Sequence, residues 1–306
     1  MKTKFIGTGG SKKAFVAAGA TTLGLFLFNY VPNTFGLEYY KNFLQCYKHG
    51  EPVKISPKIL DRFEKAKEIC GLEKHELSLV KPFSVFGFEV SLVGCTKTRF
   101  GAIVGVPANF EYDSVNDIKR SEIRFRDQAI DWTSESGRFL EQALILTEEE
   151  QIFAFCKALL QAKTQYVLMN SLFPSLSFLT VYTVGSYLNS SLGLLARPFS
   201  LRLVMYTILG LFGIGTWCFM KDFNQVTLDT EIDKELSSKG ERFVQAGLSY
   251  YDKLLKKNIA LRNLLKDDTF TANGNVNYLL RQKSLPLTIR RSFFEEKLQE
   301  SITATN

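Results

Sequence analysis

The chain has 306 residues, of which 45% are hydrophobic and 23% charged, and its formal net charge is +7. Its mean hydropathy of −0.02 is typical of a chain that combines a few membrane segments with an ordinary polar domain. The positive charge lies beside apolar segments, because residues 1–13 carry +4 and residues 189–202 carry +2 without any acidic residue. This distribution argues against a nucleic-acid-binding surface.

Residues 14–31 are the first of three long uncharged runs and follow the basic tail of residues 1–13. The run is long for the core of a secretory signal, and residues 29–32 do not form a small-residue cleavage site. The sequence therefore favours a non-cleaved N-terminal membrane anchor over a cleaved signal. A lysine-rich, acid-free start also fits mitochondrial targeting.

Two helices are well delimited in residues 32–165. Ser56 and Pro57 begin the first, which Gly71 ends, so Ser56 is expected to cap it. Thr147 and Glu150 form a capping box ahead of the second, which runs to about residue 163 and leads into the next apolar run.

From residue 82 to residue 132 the apolar residues change to a period of two. Alternation over residues 86–92, a near-continuous apolar run at 102–106 and a second alternation at 122–126 predict three or four strands.

The second and third uncharged runs, residues 166–188 and 203–220, have 23 and 18 residues. Each approaches the roughly 20 apolar residues that cross a bilayer as a helix. The link of residues 189–202 is short, so the two runs predict an antiparallel membrane hairpin. The alternative is a buried hairpin in a soluble protein, but helices of soluble proteins usually keep a polar face.

The hairpin places residues 32–165 and 221–306 on the same side of the membrane. The basic tail and the link, which contains Arg197 and Arg202, should face the compartment of synthesis, or the matrix in a mitochondrion. The bulk of the chain would then face the intermembrane space.

Residues 221–306 are predicted to be helical, with helices at 232–236, 243–255, 258–265 and 288–300 and a turn at 271–275. The fold class is thus an α+β membrane protein with three transmembrane helices, one N-terminal anchor and a central hairpin. Residues 32–165 and 221–306 would build one predominantly helical soluble domain that contains a small β-sheet.

Motifs of known chemistry are missing from the sequence, which has no HExxH, GxSxG or Walker loop and no GxGxxG after a strand. The sequence has only two histidines, His49 and His75. No catalytic, cofactor-binding or metal-binding residue is assigned, and no cofactor is expected. The five cysteines show no CxxC spacing and are expected to be buried or free thiols; they are Cys46, Cys70, Cys95, Cys156 and Cys218.

Four polar features have a structural explanation and a functional alternative. Glycines in the third run are expected to allow close helix packing, with phosphate binding as the functional alternative, and polar residues in the second run could bond across helices. Three glutamates at a helix start could be paired carboxylates, but they more simply favour the positive end of its dipole. Four basic residues near the C-terminus could dock on an acidic partner or lipid headgroups, or form a solvated face. The residues are, in that order, Gly210, Gly213 and Gly215; Asn170, Ser171, Thr180 and Thr183; Glu148, Glu149 and Glu150; and Arg281, Lys283, Arg290 and Arg291.

Six stretches around the hairpin, by their order and number, resemble the transmembrane protein 177 family of the animal mitochondrial inner membrane over nearly the full length. They are Lys81-Pro82-Phe83, GAIVGVPANF at 101–110, Ile130-Asp131-Trp132, YYDKLLKKNIALRNLL at 250–265, TANGN at 271–275 and LPLTIRR at 285–291.

This resemblance implies a non-enzymatic, multi-pass factor of the inner membrane in cytochrome c oxidase assembly. Its implied partners are newly made cytochrome c oxidase subunit II, the membrane chaperone of that subunit, copper-delivery assembly factors and the lipid bilayer. No nucleic acid or small-molecule substrate is implied. A membrane-embedded hydrolase with unrecognised ligands is the alternative, and a channel lacks pore-lining charge.

The order of strands, capped helix, hairpin and glutamate-bearing helix also resembles, more faintly, membrane zinc metallopeptidases of the HtpX kind. In that comparison Cys156 and Leu160 would stand where the two zinc histidines fall, with Glu241 as the later ligand and Gln245 where an acid is usual. Since leucine cannot bind zinc, the resemblance implies an inactive peptidase scaffold kept for binding.

Overall fold

The structure, a computed structural model, describes residues 9–125, 128–266 and 268–305. The described residues form ten α-helices: α1 Gly9–Tyr30, α2 Leu37–Leu44, α3 Pro57–Ile69, α4 Lys74–Leu79, α5 Glu135–Leu144, α6 Glu148–Ala162, α7 Tyr166–Ser191, α8 Phe199–Ser237, α9 Glu241–Leu265 and α10 Leu287–Thr305. They also form seven strands: β1 Tyr47–Lys48, β2 Glu51–Pro52, β3 Val80–Val85, β4 Ser91–Cys95, β5 Gly101–Pro107, β6 Arg124–Phe125 and β7 Gln128–Ala129.

The chain divides into two compact units. The membrane unit consists of the described part of Met1–Phe35 together with Gln165–Asn224, and the second unit consists of Gly36–Thr164 and Gln225–Asn306. Helix α8 begins in the first and ends in the second. Most of the basic tail, residues 1–8, lies outside the described residues.

Two helices in the described part of the chain, α7 and α8, are long and apolar enough to cross a membrane. Their mean hydropathy reaches 1.4 in α7, which has 26 residues, and 1.8 in α8, which has 39. The two runs of the predicted hairpin therefore lie in these helices. The third predicted span, residues 14–31, is helical in α1 but does not meet the same criterion, so its crossing of the membrane stays a prediction.

Helix α8 is longer than the predicted span. At 1.5 Å per residue its 39 residues measure about 58 Å, roughly twice the 30 Å of a bilayer core. It passes through Lys221 without a break and ends at Ser237. The helical structure predicted at 232–236 is confirmed, but the segment is the projecting end of α8 and not a separate helix.

Close contacts in the membrane unit involve one predicted residue, Gly213, and two serines that were not predicted. Ser177 on α7 donates to the carbonyl of Gly213 on α8 at 2.5 Å, and Ser175 donates to the carbonyl of Thr22 on α1 at 2.9 Å. A Cβ at Gly213 would lie 2.5 Å from the side chain of Val181, so close packing is confirmed there.

The other predicted contacts in the membrane unit are wrong. A Cβ at Gly210 or Gly215 would meet nothing within 4 Å. Three of the polar side chains predicted to bond across helices instead donate to carbonyls of their own helix, as serine and threonine often do; they are Ser171, Thr180 and Thr183. The buried Oδ1 of the fourth, Asn170, has no hydrogen-bond partner.

The main sheet of the second unit has the order β3-β5-β4, with β3 parallel and β4 antiparallel to the central strand. Every residue of β5 is buried, and it contains the predicted apolar run at 102–106. The strand predicted over residues 86–92 is wrong in its first half, because Gly87 turns the chain at φ +105° and β4 begins at Ser91. Between residues 80 and 129 the described chain has five strands, and Arg126 of the second predicted alternation lies outside the described residues.

The predicted helices of the second unit are present with changed ends. Ser56 precedes α3 as predicted, but its hydroxyl makes no capping bond, and its amide donates to the Glu111 carboxylate at 3.0 Å. The helices predicted at 243–255 and 258–265 are one helix, α9, since no residue between them disturbs its buried face. The turn at 271–275 is confirmed, and α10 extends five residues beyond the predicted end.

An aromatic cluster around Phe153 of α6 forms the centre of the second unit. Phe153 packs edge-on against Tyr251 of α9 at 5.8 Å and against Phe294 of α10 at 5.3 Å, between ring centroids. The three side chains are fully buried. The close approach of α9 depends on Gly247, where a Cβ would lie 2.7 Å from the ring of Phe294 and 2.8 Å from that of Phe153.

Gly247→Ala is therefore expected to lower the free energy of unfolding by roughly 1–3 kcal/mol, the usual cost of overpacking a core. Alanine favours a helix over glycine by about 1 kcal/mol, which works against this loss. Gln245→Ala, at an exposed position of the same helix, is the control. Guanidinium unfolding of the full chain in detergent micelles measures both, and equal midpoints would contradict the tight contact.

Candidate functional site

The capping box predicted at the start of α6 is confirmed in both directions. The amide of Thr147 donates to the Glu150 carboxylate at 2.7 Å, and the amide of Glu150 donates to the Thr147 hydroxyl at 3.3 Å. Glu150 also accepts from Lys253 at 2.7 Å and Ser249 at 2.5 Å on α9. Its side chain is almost fully buried, so Glu150 joins α6 to α9 in addition to its place in the first turn.

The next turns of α6 carry the residues that the zinc-peptidase resemblance singles out. Cys156 and Leu160 are 0% and 3% exposed. The Cys156 thiol donates to the carbonyl of Ala66 on α3 at 3.7 Å, and the Cys70 thiol donates to the carbonyl of Cys156 at 3.7 Å. Hydrogen bonding with Cys70, together with burial, raises the pKa of the Cys156 thiol far above its ordinary value. The thiol is therefore protonated and packs as a small apolar group.

The glutamate helix of that comparison does not complete a metal site. Glu241 and Gln245 are exposed at the start of α9, and the Gln245 amide donates to the Glu241 carboxylate at 3.1 Å. Within residues 9–125, 128–266 and 268–305, no three His, Cys, Asp or Glu side chains are grouped so that they could hold a metal ion. The arrangement around Cys156 and Leu160 does not fit zinc, which needs at least three protein ligands.

A buried ionic cluster, the Arg290 cluster, lies beside the aromatic core. It consists of Arg290, Asp229, Asp233 and Tyr251. The guanidinium donates to both carboxylate oxygens of Asp233 at 2.6 Å and lies 3.2 Å from the Asp229 carboxylate. It also stacks over the ring of Tyr251 at 4.8 Å, and the Tyr251 hydroxyl donates to Asp233 at 2.8 Å.

The cluster connects three segments that follow the hairpin. Asp229 and Asp233 lie on the projecting end of α8, Tyr251 on α9 and Arg290 on α10, and all four are less than 5% exposed. Burial alone lowers the pKa of Arg290, but Tyr251 and the two carboxylates raise it more, so the guanidinium stays charged. A bidentate arginine–carboxylate pair is among the strongest hydrogen-bonded contacts in proteins. The cluster therefore fixes the projecting end of α8 to the core.

The basic patch predicted near the C-terminus is wrong in two of its members. Arg290 is 2% exposed and belongs to the buried cluster. Arg291 is half-buried and pairs with Glu295 at 2.9 Å and Asp252 at 3.4 Å. Lys283 is exposed and lies over the ring of Tyr278 at 5.5 Å. The positive charge available to a partner at this patch is therefore smaller than the sequence indicates.

Lys157 of α6 lies next to this cluster, with its ammonium 5.9 Å from the ring of Tyr251. Burial, followed by repulsion from Arg290, lowers the pKa of Lys157 to about 8, against the opposing effect of Asp229 and Asp233. The side chain is half-buried. No sequence pattern distinguishes Lys157, because a lone lysine in a helix usually lies at the surface.

The lowered pKa of Lys157 predicts a pH dependence of stability. Between about pH 8 and the ordinary lysine pKa of 10.5, the unfolded chain binds more protons at this side chain than the folded chain does. The contribution of Lys157 to the free energy of unfolding therefore rises with pH in this range. Lys157→Met should remove that contribution, whereas Lys256→Met, at an exposed position, should keep it. Unfolding midpoints at about pH 7 and about pH 10 measure the difference. The same pH response in both variants would contradict the lowered pKa.

The membrane unit contains an apolar groove of about 390 Å³ between α1 and α7. Its walls carry Phe15, Leu23 and Phe26 on one side and Leu172, Leu176 and Leu179 on the other. With this lining the groove can accept only apolar groups, such as an acyl chain or the side chains of another membrane helix.

Comparison with known protein sequences finds relatives that are named as transmembrane proteins. The chain is 27% identical to transmembrane protein 177 of Mus musculus over 264 residues, which cover 85% of the chain and 84% of the relative. It is 27% identical to the Homo sapiens protein of that name over 252 residues, covering 81% and 80%. It is 25% identical to the Xenopus laevis protein over 288 residues, covering 91% of each. No family model matches the chain, and no solved structure matches it significantly.

Proposed function

The chain belongs to the transmembrane protein 177 family, and from that membership we propose that it is a non-enzymatic assembly factor of the mitochondrial inner membrane. It binds newly made cytochrome c oxidase subunit II, the membrane chaperone of that subunit and copper-delivery assembly factors. No cofactor or small-molecule substrate takes part. Family membership over most of the chain is the observation that carries this proposal.

The mechanism is stabilisation by binding. A partner that is bound only in its folded state gains about 2.7 kcal/mol of stability when the free binding protein is at 100 times its dissociation constant. Such a gain keeps a newly inserted subunit from proteases until its cofactors and neighbours arrive. Cys156 and Leu160 pack in the core, which argues against the zinc-peptidase alternative because leucine cannot bind zinc.

The proposed topology has three membrane helices. α1 is the N-terminal anchor and accompanies the hairpin of α7 and α8. Phe15, Val16 and Phe28 of α1 are 71%, 69% and 78% exposed, which suits a helix surrounded by lipid. The basic tail and the link with Arg197 and Arg202 face the matrix, and residues 32–165 and 221–306 together face the intermembrane space.

Protease treatment of mitoplasts tests this topology. A tag at residue 1 should stay protected while residues 32–165 and 221–306 are cut together. Cleavage of the tag with an intact matrix would reverse the orientation, and cleavage of one half of the chain without the other would exclude the hairpin.

Crosslinking in isolated mitochondria tests the partners. Affinity capture of the full chain after a brief pulse of mitochondrial translation should recover labelled subunit II and its membrane chaperone. Recovery of neither, with the chain intact in the membrane, would contradict the proposal. Stoichiometric zinc in the purified chain would favour a membrane-embedded hydrolase instead.

A further inference from the structure

The loop of residues 278–284, between the turn at 271–275 and α10, exposes two leucines completely. Leu279 is 93% and Leu280 is 90% exposed, which makes them the most exposed large apolar side chains in the described part of the chain. A contiguous apolar pair at the tip of a loop is unusual on a surface that faces only water, and such pairs often mark an interaction site.

Hydrogen bonds hold this loop in a defined shape. The hydroxyls of Tyr278 and Ser284 lie 3.3 Å apart, and the Gln282 amide donates to the carbonyl of Ser284 at 2.6 Å. At the base, Asn275 donates to the Thr288 hydroxyl at 2.9 Å and accepts from its amide at 3.0 Å. The exposure of the leucines is thus a consequence of a closed loop.

The sequence segment that contains the loop carries charges of one sign. Residues 269–294 contain four basic and no acidic residues. Arg290 and Arg291 belong to the contacts described above, and Lys283 is exposed next to the leucines. Two apolar side chains flanked by basic ones complement an anionic lipid surface, since the apolar pair enters the interface and the cations meet phosphate groups.

The chain keeps the loop close to the end of a membrane helix. The amide of Leu285 donates to the Asp229 carboxylate at 3.0 Å. Asp229 lies on unbroken α8 nine residues after Met220, which is about 14 Å at 1.5 Å per residue. The polar interface of a bilayer is roughly 5–8 Å thick on each side. The tip of a closed seven-residue loop lies about three residues, or roughly 10 Å, from its base, which is enough to bring the leucines to the interface.

We propose that the loop of residues 278–284 is a membrane-surface anchor, in which Leu279 and Leu280 enter the interface and Lys283 contacts anionic phospholipid headgroups. The anchor would hold the second unit at a fixed height on the membrane. This inference rests on the membrane insertion of α8 and is independent of the proposed partners.

Quenching by lipid tests the anchor in the full chain. Leu280→Cys, labelled with a small environment-sensitive fluorophore in nanodiscs, should be quenched several-fold more by lipids that carry a shallow spin label than labelled Ser238→Cys. Ser238 is exposed just after the far end of α8 and is the matched control. The wild-type chain sets the background labelling of the native cysteines.

Two further comparisons, one of lipid composition and one of a Lys283 variant, distinguish the contribution of the leucines from that of Lys283. Adding anionic phospholipid to phosphatidylcholine nanodiscs should increase the quenching at residue 280, and Lys283→Glu should cancel this increase without changing the unfolding midpoint. Equal quenching at residues 280 and 238 in both lipid compositions would overturn the proposal. So would a fluorophore that is shielded only after a mitochondrial protein extract is added, since the loop would then bind a protein.

Discussion

Arg290→Met is expected to destabilise the second unit by about 3–5 kcal/mol, because removing one partner of a buried ion pair leaves the other charge unpaired. Here two carboxylates, Asp229 and Asp233, would lose their cation while they stay less than 4% exposed. A loss of this size is a large part of the roughly 5–15 kcal/mol that stabilises a domain. Little folded variant should therefore accumulate in the membrane.

Arg291→Met is the matched control for this change. It alters the next residue, whose pairs with Glu295 and Asp252 are partly exposed and contribute only about 0–1 kcal/mol. The abundance and unfolding midpoints of both variants are measured in parallel. Adding Asp229→Leu and Asp233→Leu to Arg290→Met should restore part of the stability, since apolar replacements of buried ions are often tolerated. Equal stability of the two single variants would contradict a structural role of the Arg290 cluster.

The Arg290 cluster also shows what the sequence could have predicted. Asp229 and Asp233 alternate with Ile232 and Leu236 at positions i, i+3, i+4 and i+7, which place all four on one helix face. Ile232 and Leu236 are buried, so the two aspartates are buried with them. Their spacing was therefore informative. The spacing could not identify the cation that pairs with them, because Arg290 is 57 residues from Asp233 in sequence and only tertiary packing brings the two together.

Leu160→Asp is expected to destabilise the second unit by more than about 4 kcal/mol, an exceptional value that indicates a buried unpaired charge. Leu160 is 3% exposed and faces the same core as Phe153 and Leu159. Helical spacing places Phe153, Cys156, Leu159 and Leu160 on one face of α6, and all four side chains are buried. Pulse-labelling should show that the variant is made normally and then degraded.

Cys156→Ala is the mild counterpart on the same face. It leaves a small cavity and should cost about 1–2 kcal/mol, within the usual range of point mutants, without loss of partner capture. The hydrogen bond that its thiol donates to the carbonyl of Ala66 is long at 3.7 Å, and the Cys70 thiol donates to the backbone carbonyl of Cys156, which the substitution keeps. If Cys156→Ala instead abolished partner capture while the protein stayed abundant, the thiol would have a chemical role.

Local patterns predicted the second unit better than the contacts within the membrane unit. The capping box at Thr147 was predicted correctly because all its partners lie within four residues. Ser175 and Ser177 make the bonds across helices, whereas Asn170 and Thr180 were expected to. A run of apolar residues with scattered hydroxyls fixes the length of a membrane helix, but the rotation of that helix toward its neighbours depends on shape complementarity between them.

The lifetime of newly made cytochrome c oxidase subunit II tests the proposed function most directly. Mitochondrially encoded proteins are pulse-labelled and chased in cells that lack this chain and in the same cells after re-expression of wild type, Arg291→Met or Leu160→Asp. Subunit II should decay several-fold faster without the chain, recover with wild type and Arg291→Met, and stay short-lived with Leu160→Asp. An unchanged lifetime of subunit II in cells that lack the chain would contradict its role as a stabilising assembly factor.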